Sequence, residues 1–148
     1  MLSEVELRSR EEIQYENYAK VLNIEAQTMV VMASRQIIPA VEGYIEQLAR
    51  TAKGKMDILG SLECAEMERE LVTRLSELNT KAYRAVNSLK KADAEAAAMK
   101  PAKAAAFAFR DAVLPVMREL RAAVDEMETL VSSEYWPLPT YGEMTYKQ

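Results

Sequence analysis

The densest chemistry in the chain is carboxylate. Glu63, Glu66, Glu68 and Glu70 fall within the stretch ECAEMERE, and Asp125, Glu126 and Glu128 form a second cluster. Oxygen ligands of this kind suit a hard cation such as magnesium or calcium. Arg69 and Arg74 interleave with the first cluster, however, and i to i+4 pairing of that sort makes a solvated, self-neutralised helix face the expected state. The chain contains no histidine. That removes the usual general base and the commonest metal ligand, and with them every Ser/His, Cys/His and Glu-x-x-His arrangement. Cys64 is the one cysteine. It falls near the start of an expected helix, where a thiol pKa can drop, but it has neither a His nor a second Cys and reads as structural. The stretch TAKGKMDILG lacks the spacing of a phosphate loop and a preceding strand. No catalytic, cofactor-binding or metal-ligating residue is therefore assigned.

One stretch has a different character. SSEYWPLPTYGEM, residues 132 to 144, holds the single Trp, two of the five Pro and two of the seven Tyr. Pro137 and Pro139 bias Trp136 and Leu138 towards extended backbone, so a helix must stop just before them. Tyr135, Trp136, Pro137 and Tyr141 are the candidate contact residues. Two roles compete for them: a tail folded back on its own bundle, its rings burying apolar area, or an extended segment that docks on another domain or subunit.

These groups need elements to hold them. Ser3 and Glu6 have the spacing of a capping box, and helix-favouring residues follow to about Thr51. Ile13, Tyr18, Leu22, Met29, Val30, Ile37, Val41, Tyr44 and Leu48 recur mostly at three or four residues, as on one helical face. Pro39 lies inside this span and predicts a kink, or a split, near Ile38, because its ring crowds the turn at Arg35. Gly54 and Gly60 bracket the expected first connection. Leu71, Leu75, Leu78, Ala82, Ala85 and Leu89 then form a heptad seam, and Val113, Met117, Leu120, Val124, Met127 and Val131 form another. Met29, Met32, Met117 and Met127 fall at or near seam positions, as gap-filling core residues do. The second connection belongs near Pro101, with a break near Ala92 as the alternative. Pro115 repeats within the third helix the position that Pro39 has in the first.

The fold expected is all-α: a bundle of three long antiparallel helices over residues 1–132 with an irregular aromatic and proline-containing tail over 133–148. Strand alternation is missing outside the tail. Length and a 49% hydrophobic fraction suit one globular domain. With 19 basic against 23 acidic residues the surface carries no nucleic-acid footprint. The charged N-terminus lacks a signal-peptide core, no apolar run reaches membrane-spanning length, and a lone Cys suits a reducing, cytoplasmic setting. Helices of unequal length leave an overhang, which points to self-association as a homo-oligomer or to a missing neighbour.

Three stretches together carry a resemblance. YENYAKVLNIEAQTMVVMASRQIIPAV (15–41), FRDAVLPVMRELRAAVDEMETLV (109–131) and SEYWPLPTYGEM (133–144) are similar to the C-terminal region of type III glutamine synthetases, while residues 52 to about 105 match weakly. The resemblance implies a parent enzyme that joins ammonia to glutamate with ATP and magnesium or manganese. It implies that the metal ligands and nucleotide site lie in an upstream catalytic domain, so no catalytic residue carries over to this chain. The partners implied are that domain and neighbouring subunits, with inter-domain packing or oligomer assembly as the role. The competing reading is a free-standing helical adaptor that binds a partner protein through its aromatic tail.

Overall fold

The computed structural model describes residues 3–139, and every regular element among them is helical. The first helix comprises α1 (Glu4–Met32), a π-helical turn (Ala33–Ile37) and α2 (Ile38–Leu59) without a non-helical residue between them. A short 3-10 turn (Glu63–Ala65) leads into the second helix, α3 (Glu66–Ala97). The third comprises α4 (Ala102–Ala108), a second π-helical turn (Phe109–Val113) and α5 (Leu114–Leu130). The protein is an all-α, three-helix bundle.

Local chemistry sets the ends. The backbone N–H of Glu6 donates to Ser3 Oγ and that of Ser3 donates to Glu6 Oε2, both at 3.2 Å, so the capping box is reciprocal. The first helix runs past Gly54, which is a helical residue, and ends only at Gly60, whose φ of 72° and N–H bond to the Met56 carbonyl close the last turn. The expected bracketing of a connection by Gly54 and Gly60 is thus corrected: KMDIL is helix, since only Gly60 takes the left-handed conformation that ends one, and the segment's Lys55 pairs with Glu68 of α3. The second connection lies at residues 98–101, beside Pro101 and not near Ala92.

Neither internal proline splits its helix. Before Pro39, the Ile38 N–H donates to the Ala33 carbonyl five residues back; before Pro115, the Leu114 N–H does the same to Phe109. A π turn holds one residue more than an α turn, and it widens the helix where a proline ring would otherwise press on the preceding turn.

The chain forms two compact units, each built from parts of all three helices. One takes the chain through Val31 together with Ala85–Leu120; the other takes Met32–Arg84 and the described residues from Arg121 on. The first unit buries Leu22, Ala26, Leu89, Phe109, Val113 and Leu120, among others. The second buries Ile37, Val41, Leu75, Leu78, Met127 and Trp136. Within it α2 and α3 run antiparallel, since Lys55 meets Glu68 while Ile38 and Glu42 meet Asn79. The α3 and α5 seams are buried apart from half-buried Leu71 and Val124. On the first helix the expected face is displaced: Ile13 and Tyr18 are 52% and 39% exposed, while Ala26 of α1 and Ala33 of the π turn lie in the core. The inner face follows Tyr15, Ala19, Leu22 and Ala26, whose steps of four, three and four place them in one stripe.

Candidate functional site

The aromatic turn after α5 is built by one serine. The Ser132 carbonyl accepts from the N–H groups of Tyr135 and Trp136 at 2.9 and 3.1 Å, which reverses the chain directly after the helix. Trp136 is thereby buried, 7% exposed, while Tyr135 is half-buried and Pro137 is exposed. The Tyr135 ring lies 5.3 Å from that of Tyr44, tilted by 46°, within the favourable range for aromatic pairs. Gly43 leaves room beside it: a Cβ there would sit 3.8 Å from Tyr135, an ordinary contact. The candidate residues Tyr135, Trp136 and Pro137 thus share one turn, and Tyr141 lies outside the described residues.

The carboxylates do not converge. Glu68, expected on a solvated face, is instead 1% exposed, and its Oε1 accepts from Lys55 Nζ at 2.5 Å. That hydrogen bond, aided by one from its own backbone N–H, holds the Glu68 carboxyl below the usual carboxylate range against the opposing pull of burial. Glu126 is clamped by Arg74, whose Nε and Nη2 donate to its two oxygens at 2.5 and 2.6 Å, a bidentate pair between α3 and α5. Arg74 also reaches Glu77, three residues on, at 3.2 Å. The guanidinium lowers the Glu126 pKa, and the two carboxylates raise that of Arg74. In place of the expected i to i+4 pairs within the first cluster, Glu68 pairs with Lys55 of α2, and Arg74 pairs with Glu126 of α5 as well as with Glu77 on its own helix.

Two further polar contacts leave no mark in the apolar periodicity. Asn79 is 3% exposed and its Nδ2 donates to the Ile38 carbonyl at 3.2 Å and to Glu42 Oε1 at 2.8 Å, next to the first π turn. Asn23, oriented so that its amide donates, reaches both Asp93 oxygens at 2.8 Å. Burial pushes the Asp93 carboxyl up, and a hydrogen bond from Gln27 pulls it back. The only signal for either contact was a polar residue adjoining an apolar seam.

Concavities are shallow. A groove of about 410 Å³ between α2 and α3 is lined by Ala49, Ala52, Met56, Val72 and the charged Lys53 and Arg69, among others. Among the described residues no three His, Cys, Asp or Glu side chains gather as a metal centre would require. With Glu68 and Glu126 already committed to cationic side chains, these two carboxylates do not fit the divalent metal that the resemblance implies for its parent enzyme. Cys64 is half-buried and its thiol donates to the Ser61 carbonyl at 2.7 Å, a local contact at the start of the second helix. No helix among the described residues is long and apolar enough to cross a membrane.

Comparison with known proteins gives consistent results. A family described as "Glutamine synthetase C-terminal domain" matches residues 1–56, nearly the whole first helix. A glutamine synthetase of Butyrivibrio fibrisolvens is 31% identical over 141 residues, which is 95% of this chain and 20% of that protein. A type-3 glutamine synthetase of Dictyostelium discoideum is 29% identical over 99% of this chain, and a glutamine synthetase of Bacteroides fragilis is 26% identical over 99%; each is again covered for 20% of its length. The chain therefore spans about a fifth of the length of the curated relatives it matches.

Proposed function

Because the chain belongs to the glutamine synthetase C-terminal domain family, we propose that it is an accessory helical domain that packs against the catalytic part of such an enzyme and adds no catalytic residue of its own. The observation that carries this reading is the asymmetry of the matches: 95 to 99% of this chain, but 20% of each relative. A segment of that share can be present throughout a family and leave the chemistry to the remainder. The absence of histidine and the pairing of Glu68 and Glu126 with Lys55 and Arg74 agree with it.

On this reading the partners are the catalytic portion of the enzyme and neighbouring subunits of a cytoplasmic homo-oligomer, and ATP and magnesium or manganese are bound elsewhere. The adaptor alternative draws less support, because Trp136 has spent most of its apolar area on its own unit and has little left for a separate partner. The test is glutamine formation by the purified chain with glutamate, ammonia, ATP and magnesium. No product above a protein-free control is expected, and sustained turnover would refute the accessory reading.

A further inference from the structure

Helix α1 carries two seams, and only the inner one is buried. On the opposite side Ile13, Asn17, Val21, Ile24 and Thr28 follow one another at steps of four, four, three and four, which again places them on a single face. All five are exposed, the three apolar ones to 52, 53 and 54%. Three large aliphatic side chains, each about half exposed and aligned on one helix face with only Asn17 between them, form an apolar patch of the kind that marks an interaction surface. We propose that this outer seam is the surface on which the remainder of a glutamine-synthetase-like chain docks, an inference that rests on the accessory-domain reading and names the face through which it acts.

Area and length decide the occupant. From Ile13 to Thr28 the seam runs for about 24 Å, and on a helix roughly 10–12 Å across it presents on the order of 400 Å² to one side. That is about half of the ~800 Å² per partner of a stable interface between separate proteins, which disfavours a second copy. Doubled, it falls within the ~600–1,500 Å² that domains of one chain bury against each other. Covalent attachment makes such a modest contact sufficient, since a tethered partner is present at high effective concentration. The relatives carry four-fifths of their length beyond the part matched here, which is the tethered partner the argument requires. The family match at residues 1–56 covers the helix that bears the seam. Its chemistry defines the partner surface: apolar against Ile13, Val21 and Ile24, with a hydrogen-bonding group opposite Asn17, because an amide buried without one is costly.

The test grafts this chain, carrying C64S and V21C, in place of the matching fifth of the Butyrivibrio fibrisolvens synthetase. Maleimide labelling at position 21, read by peptide mass spectrometry, is expected to be roughly tenfold or more slower in the graft than in the isolated chain. I24C serves as a second probe, and a circular dichroism melt confirms that each variant folds. Equal labelling in both settings would overturn the proposal. Slow labelling in the isolated chain that speeds up on dilution would also overturn it, in favour of a second copy. Glutamine formation by the graft reports separately on the accessory reading: an active graft that labels freely retains that reading and loses only the docking face.

Discussion

Single residues show where polar chemistry was diverted into holding helices together. Glu68 has a depressed pKa in the folded state, with Lys55 as the main cause. The sign follows: its contribution to stability is fully present above the ordinary glutamate value of 4.5 and is lost as pH falls through the lower folded value. Glu68→Gln is expected to melt earlier than wild type at pH 7, with the gap closing as melts are repeated below that value; a gap independent of pH would contradict the assignment. Trp136→Ala is expected to cost about 3–5 kcal/mol in urea unfolding, as for other buried large aromatics, whereas a tail reserved for another protein would leave the midpoint unmoved. Pro137 and Pro139 made the helix stop legible, and the rings at Tyr135 and Trp136 stood as candidates for either packing or docking. The burial of Glu68 was not, because its partner Lys55 stands thirteen residues away across a connection, beyond the reach of helical spacing.

At the scale of elements, the seams of α3 and α5 were readable because one buried face repeats regularly along each. α1 was harder: it carries apolar residues on two faces, so Ile13 and the buried Leu22 could be assigned to one stripe although they lie on opposite sides. The π turns left a trace in the sequence that is clear only with the core known. Buried residues step by four twice in succession, Ala33 to Ile37 to Val41 and Phe109 to Val113 to Met117, where a regular helix alternates four with three. The two glycines near the first connection behave oppositely. Gly54 is helical with open space where a Cβ would be, so Gly54→Ala is expected to stabilise by about 0.5–1 kcal/mol. Gly60 has φ +72°, so Gly60→Ala is expected to destabilise by about 1–2 kcal/mol. Paired thermal melts check both, and a shift of the same sign in the two variants would contradict the helix end placed at Gly60.

At the scale of the molecule, three helices supply two compact units and a set of interhelical ion pairs. The all-α bundle and the family were legible in the heptad seams and in the three resembling stretches. The face proposed for docking left no such sign, since an exposed seam is recognisable only once the inner seam of the same helix has been located. If the chain is an accessory domain, it acts through the catalytic portion it packs against. The most direct measurement of this is glutamine formation by the Butyrivibrio fibrisolvens synthetase lacking its matching fifth, with and without this chain grafted in its place. Truncation is expected to impair the enzyme and the graft to restore activity; full activity in the truncated enzyme, with no change on grafting, would contradict an accessory role.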